Sequence, residues 1–141
     1  MALIVNSVQL QRSPEDVFDY LIDMRNELKW NPDVESMEKI SDGPIGLGTK
    51  FRAKWKQTEL VEVECMEFER PLAWRYDSGG ALSASVRAAL APAGAGSLLT
   101  VYFDVHAHGK LKLLFPVLLP MLKRSEKQNM SRIKQAVESG M

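Results

Sequence analysis

The chain has 141 residues, and its 18 Lys and Arg residues balance its 18 Asp and Glu residues, so the formal net charge at pH 7 is zero. This balance argues against a nucleic-acid-binding protein, because phosphate binding depends on an excess of Lys and Arg. The length suits one domain over residues 1–141, and a composition of 45% hydrophobic and 26% charged residues is typical of a folded, soluble domain.

Cysteine content and the apolar segments limit the cellular context. The single cysteine, Cys65, excludes an intramolecular disulfide and a multi-cysteine zinc site. The first seven residues lack the basic segment of a secretory signal. The most apolar stretch, residues 111–122, contains a lysine and two prolines and is shorter than the ~20 residues of a membrane-spanning helix. These features predict a cytoplasmic protein.

The N-terminal third begins with a strand and two short helices. Residues 3–10 are rich in apolar side chains and predict a strand. Ser13 is a suitable N-cap, Pro14 suits the first helical position, and the two acidic residues that follow suit the positive end of a helix. A second helical segment, residues 24–30, should end before Pro32, because the residue preceding a proline disfavours helical backbone.

From residue 34 to residue 107 the hydrophobic period changes to two. The clearest strand covers residues 49–56, where apolar and basic side chains alternate. A shift in phase after Cys65 indicates a β-bulge. Gly79-Gly80 and residues 92–96 mark tight turns. Successive strands joined by short turns predict an antiparallel meander.

A long helix should close the chain, from about Pro116 to about Glu138, with prolines tolerated only in its first turn or at a kink at Pro120. Glu126 falls near the middle of its apolar stripe, and Asn129 lies beside it. The stripe consists of Phe115, Leu119, Leu122, Met130, Ile133 and Val137. A curved sheet with an apolar face should wrap this stripe, since each layer must bury its apolar side.

The order of elements and four short motifs carry a family resemblance. The motifs are Ser-Pro-Glu-Asp-Val-Phe at 13–18, Trp-Asn-Pro at 30–32, the glycine-containing segment 43–51 and Glu-Arg-Pro at 69–71. Over nearly its whole length the chain resembles the START-like (SRPBCC) superfamily, and within it the polyketide cyclase/dehydrase group, which also takes in coenzyme-Q-binding proteins.

This resemblance implies an α+β helix-grip fold. In that fold a curved antiparallel seven-stranded sheet wraps around a long C-terminal helix, and two short helices follow strand 1. The resemblance also implies an internal cavity between sheet and helix. Such a cavity would hold an apolar or partly polar small molecule, such as a lipid, a quinone, a hormone or a polyketide.

Nine residues are candidates for a ligand site in such a cavity. Glu126 has two interpretations. If it faces the sheet, its carboxylate needs hydrogen bonds, a raised pKa or a wet pocket. If a kink at Pro120 rotates the helix, Glu126 would instead form a surface ion pair with Lys123 or Lys127. Any single aromatic residue at strand spacing is more often part of the core. The candidates are Trp30, Phe51, Trp55, Trp74, Tyr76, Phe103, Leu122, Glu126 and Asn129.

The sequence gives little support for a metal site or for a catalytic nucleophile. Asp104, His106 and His108 alternate on one strand face, but the apolar residues between them should face the cavity, so the trio should point to solvent. A straight strand also spreads potential ligands apart. Cys65 has no histidine at a useful position and is predicted to be a buried structural thiol. We therefore expect no metal and no cofactor.

Charge is segregated along the chain. Residues 110–134 contain seven basic residues and one acidic residue. Together with the apolar segment, this basic helix could touch an anionic membrane peripherally. The interpretation that we favour from sequence is a solvated helix face whose apolar start closes the cavity.

Three functions stay open at this level. The favoured one is binding of a small hydrophobic ligand. The second is a cyclase or dehydratase in which Glu126 or Tyr76 moves protons. The third is a lipid or coenzyme-Q carrier at a membrane. The sequence predicts no nucleic-acid partner and leaves the oligomeric state open.

Overall fold

Residues 2–139, which the computed structural model describes, form seven strands and three α-helices. A 3₁₀ turn at Met24–Asn26 immediately precedes the second helix. The elements in chain order are β1 (Ala2–Leu10), α1 (Pro14–Leu21), α2 (Glu27–Trp30), β2 (Val34–Lys39), β3 (Lys50–Trp55), β4 (Val61–Glu69), β5 (Ala73–Ser78), β6 (Leu82–Ala93), β7 (Gly96–Ala107) and α3 (Leu111–Ser139).

The seven strands form one antiparallel sheet in the order β1-β7-β6-β5-β4-β3-β2. Strands β2 to β7 form a meander in which each strand pairs with the next. The first strand, β1, pairs with the outer edge of β7. The register shifts between Cys65 and Glu67, as predicted, and also between Val34 and Ser36. Such bulges bend a strand and increase its twist. The predicted helix-grip fold, with a curved sheet around a long terminal helix, is confirmed.

The start of α1 follows the predicted capping pattern. The backbone N–H of Asp16 donates to Ser13 Oγ at 3.2 Å, and Pro14 occupies the first turn. Val17 and Phe18 are buried, so α1 covers one end of the sheet. The second helical segment ends at Trp30, as expected from Pro32.

The start of α3 differs from its prediction. The helix begins at Leu111, five residues before Pro116, and carries both Pro116 and Pro120 in its interior. Neither proline can donate to the carbonyl four residues before it, which leaves the carbonyls of Lys112 and Pro116 without a helical partner. Lys112 and both prolines are exposed, so water can bond to these carbonyls. The two prolines are therefore tolerated in this exposed part of α3, whereas they would break a buried helix.

The buried stripe of α3 lies where the helical period placed it. Phe115, Leu122, Met130, Ile133 and Val137 are buried. The stripe keeps its phase on both sides of Pro120, so the rotation considered from sequence does not occur. The first half of α3 packs on a small apolar cluster around Ile4, Leu82 and Val105, and the second half joins the main core.

Candidate ligand-binding cavity

A cavity of about 180 Å³ lies between the sheet and the second half of α3. Its apolar wall is built from side chains of β4 to β7. Its polar end is formed by α2, by residues 31–33 before β2 and by the loop after β3. A cavity of about 150 Å³ is known to hold one benzene molecule. The present cavity is therefore suited to a compact molecule built around a ring.

Eight of the nine predicted site residues line the cavity, and Phe51 does not. Phe51 is fully buried behind the wall, where its ring packs edge-on against Tyr76 with 5.9 Å between the ring centroids. The prediction that Phe51 lines the cavity is wrong. A period of two assigns a side chain to one face of the sheet, but it does not determine where on that face the cavity lies. The eight residues are Trp30, Trp55, Trp74, Tyr76, Phe103, Leu122, Glu126 and Asn129.

The Tyr76 hydroxyl forms a hydrogen bond with the backbone. It donates to the carbonyl oxygen of Ile22 at 2.6 Å, and burial raises the pKa of Tyr76 above its ordinary value of 10.0. A phenol in this environment keeps its proton. This geometry does not support the hypothesis that Tyr76 moves protons in a cyclase or dehydratase.

The polar end contains Glu27, which the sequence did not single out. Glu27 Oε2 accepts hydrogen bonds from the indole Nε1 of Trp55 at 2.7 Å and from Nδ2 of Asn31 at 2.9 Å. Burial raises the pKa of the Glu27 carboxyl, and these two hydrogen bonds oppose that rise. Trp55 thus contributes a polar contact as well as aromatic surface.

Asp33 is the second unexpected carboxylate at this end. Its Oδ2 accepts hydrogen bonds from Gln57 Nε2 at 2.9 Å and from Ser125 Oγ at 3.2 Å. Its backbone N–H donates to Asn31 Oδ1 at 3.0 Å. Asp33 thereby connects the residues before β2 with the loop after β3 and with α3.

Glu126 lies in the cavity wall rather than on the outer surface. It is half-buried, and Nδ2 of Asn129 donates to its Oε2 at 3.4 Å. Within residues 2–139 no ion pair joins Glu126 to Lys123 or Lys127. Burial raises the pKa of Glu126 to about 7, the charges of Glu27 and Asp33 act in the same direction, and the hydrogen bond from Asn129 opposes them.

The charge of the lining is one-sided. Three carboxylates and no Lys, Arg or His side chain line the cavity in the described part of the chain. Lys56, whose Nζ lies 4.0 Å from Asp33 Oδ1, is exposed and does not line the cavity. A buried anionic ligand would therefore meet three carboxylates and no lining base, which is unfavourable at low dielectric. The site is suited to a ligand that is apolar over most of its surface and donates hydrogen bonds at one end.

The residues considered for other chemistry lie outside the cavity. His106 Nε2 is 3.2 Å from Asp104 Oδ1, and His108 Nε2 shares a hydrogen bond with Ser83 Oγ at 2.8 Å. Across residues 2–139, no group of three or more His, Cys, Asp or Glu side chains could hold a metal ion. Cys65 is buried, as predicted, and burial raises the pKa of its thiol to about 11.

Comparison with solved structures places the fold among known proteins. A protein from Thermus thermophilus, TTHA0849, superimposes with a TM-score of 0.79 at 16% identity, over 96% of this chain and 97% of that chain. The protein Ara h 8.0201 gives a TM-score of 0.69 at 20% identity, over 96% and 97% of the two chains. DynU16, from the dynemicin biosynthetic locus, gives 0.69 at 15% identity, over 98% of this chain and 48% of that chain.

Sequence comparison identifies the family. No curated protein sequence matches the chain. A family model described as "Polyketide cyclase / dehydrase and lipid transport" matches residues 1–138. Because this match spans almost the whole chain, the chain belongs to the polyketide cyclase/dehydrase and lipid transport family.

Proposed function

We propose that the protein binds a compact, ring-containing hydrophobic molecule that presents a hydrogen-bond donor to the acidic end of the cavity. The observation that carries the proposal is the lining itself, which is apolar except for one end that holds Glu27, Asp33 and Glu126. Hydrophobic surface supplies affinity in such a pocket, and the few polar groups fix the orientation of the ligand.

The size of the cavity favours the more compact of the ligand classes that the resemblance implied. At about 180 Å³ it suits a compact polyketide-like ring system or the head of a quinone. A lipid or a coenzyme Q with a long tail exceeds this volume, so its tail would have to extend out of the cavity or widen it. A hydroxyl group would donate to a carboxylate, and hydrogen bonds to charged groups contribute about 1.5–3 kcal/mol.

The proposal can be tested with three probes of one shape. 4-Ethylphenol donates a hydrogen bond, 4-ethyltoluene replaces the hydroxyl by a methyl group, and 4-ethylbenzoate carries a negative charge. We expect the phenol to bind roughly tenfold more tightly than the toluene, and the benzoate to bind weakest. Titrations followed by the NMR signal of the Trp55 indole N–H give the affinities. Failure of all three probes to bind would contradict the proposal.

A second candidate function has its own supporting observation. Glu126 is a carboxyl group with a pKa of about 7 in a largely apolar cavity, and such groups suit general acid–base catalysis near neutral pH. In a cyclase or dehydratase it would take a proton next to a carbonyl group and return one to a departing hydroxyl.

Dehydration of a small β-hydroxyketone tests this candidate. With 4-hydroxy-4-phenylbutan-2-one, loss of water gives a conjugated enone that absorbance detects. An active enzyme should lose turnover in the Glu126→Gln variant and keep it in the Glu62→Gln variant, since Glu62 is exposed on β4. If both variants match the wild type, Glu126 has no catalytic role in this reaction.

A further inference from the structure

The first half of α3 exposes a row of large apolar side chains on the side opposite its buried stripe. At about 100° per residue they lie within about 100° of arc, away from Phe115 and Leu122. We call them the apolar face: Leu113, Leu114, Val117 and Met121, with exposed fractions of 83%, 56%, 68% and 60%. Single exposed apolar residues are ordinary, but a contiguous group of this kind marks an interaction site.

Basic side chains lie at the ends and along one flank of the apolar face. All four are exposed, and none forms an ion pair with an acidic residue of the described chain. We call them the basic rim: Lys110, Lys123, Arg124 and Lys127. Lys112 lies on the inner side of the helix, in a small pocket that Phe115 also lines. Glu126 is the one acidic residue between Lys110 and Lys134, and it lines the cavity. The outer surface of this half-helix is therefore apolar at its centre and positively charged at its ends and along one flank.

We propose that the apolar face and the basic rim dock the protein on the surface of an anionic lipid bilayer, with α3 lying in the interfacial plane. Apolar side chains on one side of a helix enter the boundary between headgroups and acyl chains, and neighbouring Lys and Arg side chains attract anionic headgroups. The contact is peripheral, since within residues 2–139 no helix is long and apolar enough to cross a bilayer.

Charge argues against a second copy of the chain as the occupant. A two-fold contact through the apolar face would bring the basic rims of both copies together. No exposed acidic residue lies in residues 110–125 to compensate them. Like charges at such an interface disfavour association.

The two prolines favour a hydrated surface, such as that of a bilayer, over a dehydrated groove in a partner protein. Pro116 and Pro120 leave the carbonyls of Lys112 and Pro116 without helical hydrogen bonds. In a dry groove these carbonyls would need donors from the partner, because a buried unpaired carbonyl is costly. The headgroup region of a bilayer contains water and supplies such donors directly.

The docking surface is separate from the cavity. Leu122 is the first residue of α3 to line the cavity, and no residue from Leu111 to Met121 does. The expectation that the apolar start of this helix closes the cavity is therefore corrected: its inner side packs on the cluster around Ile4 and Val105. Membrane docking can then succeed or fail independently of ligand binding.

Co-sedimentation with lipid vesicles tests the proposal. The vesicles contain phosphatidylcholine alone or with about 30% phosphatidylserine, at roughly 0.05 M and 0.5 M salt. We expect the full chain to bind the anionic vesicles at low salt and to be released in part at high salt. The double variant Leu113→Gln/Val117→Gln should lose about tenfold in binding, because the apolar contribution is removed. The double variant Lys123→Gln/Arg124→Gln should lose the preference for anionic vesicles.

A matched control variant and a measurement of folding distinguish loss of membrane binding from loss of the folded state. Leu47→Gln changes a leucine that is 73% exposed in the loop before β3, and it should bind like the wild type. Thermal unfolding followed by circular dichroism verifies that each variant folds. Absence of binding to anionic vesicles would overturn the proposal. So would a concentration-dependent dimer in sedimentation velocity that the apolar double variant abolishes, because the apolar face would then join two copies.

Discussion

Glu126 links folding stability to pH. Its pKa is raised from 4.5 to about 7 in the folded chain, mainly by burial. The folded state therefore binds a proton more tightly than the unfolded state. Stability is greatest below the unfolded pKa and falls as pH rises through about 7. The charged groups that act on Glu126 are Glu27 and Asp33, both acidic. Lys56 lies 4.0 Å from Asp33 but outside the lining, so among residues 2–139 no lining base offsets the effect.

Replacing Glu126 by Gln should remove this dependence. At about pH 8 we expect Glu126→Gln to be more stable than the wild type by about 2 kcal/mol, and at about pH 4.5 the two should be similar. Urea unfolding at both pH values measures the difference. Glu62→Gln, on the exposed side of β4, serves as the control. An equal stability difference at the two pH values would contradict the assigned cause.

The hydrogen bond between Trp55 and Glu27 should contribute measurably to stability. Trp55→Phe removes the donor 2.7 Å from Glu27 Oε2 and leaves the carboxylate with Asn31 alone. We expect a loss of about 1–3 kcal/mol in the free energy of unfolding, measured in urea. Trp30→Phe is the control, since Trp30 also lines the cavity and its indole N–H has no hydrogen-bond partner within residues 2–139. Equal losses in both variants would assign the effect to lost aromatic surface.

The sequence could predict Glu126 and could not predict Glu27 or Asp33. The helical period of α3 places Glu126 at one angle relative to the buried stripe, so its direction follows from local geometry. Glu27 and Asp33 receive their roles from contacts distant in the chain. Glu27 meets Trp55 28 residues away, and Asp33 meets Ser125 92 residues away. No local pattern encodes these distances.

At the scale of elements, α3 should become more stable when a proline is removed. Pro120→Ala restores the N–H that can bond to the carbonyl of Pro116 and removes a steric clash. We expect a gain of about 1–3 kcal/mol, smaller than the full propensity difference because the unfolded chain also gains freedom. Thermal and urea unfolding measure the gain.

The matched variant for this test is Pro14→Ala, at the first turn of α1, where proline is well suited and its replacement should not stabilise the fold. Stabilisation by Pro14→Ala but not by Pro120→Ala would contradict the argument.

The strands were easier to predict than the start of α3. Apolar and polar residues alternate in β3, β5 and β6 because one side of each strand faces the core and the other faces solvent. The start of α3 has no such contrast, since apolar residues occupy both its inner and its outer side. The two prolines then became the only signals available, and they indicated a start that was too late.

At the scale of the molecule, filling the cavity should separate ligand binding from stability. Ala84 lies on β6 and lines the cavity. Ala84→Leu replaces a methyl group by an isobutyl group in this space without breaking a hydrogen bond. We expect binding of 4-ethylphenol to be lost, with stability unchanged or raised by up to about 1 kcal/mol.

The control for the filled cavity is Ala91→Leu, an exposed position of the same strand, which should bind the probe like the wild type. NMR titration and urea unfolding report the two properties. Unchanged binding by Ala84→Leu would place the ligand elsewhere.

The order of strands and helices was predictable for the whole chain, and the volume of the cavity was not. Periodicity and the family resemblance together indicate which faces meet. A cavity is the small space left when those faces are not completely filled, so its size depends on contacts such as that of Phe51 with Tyr76. The position of Phe51 behind the wall illustrates this limit.

The pairing of β1 with β7 affects how the chain is assembled during synthesis. β1 leaves the ribosome before the other six strands, but its strand partner is β7, and Ser7 contacts Thr100 across 93 residues. α3 emerges later still. The nascent sheet must therefore expose its apolar face until α3 has been synthesised, and during this interval the chain is open to chaperone binding and to aggregation.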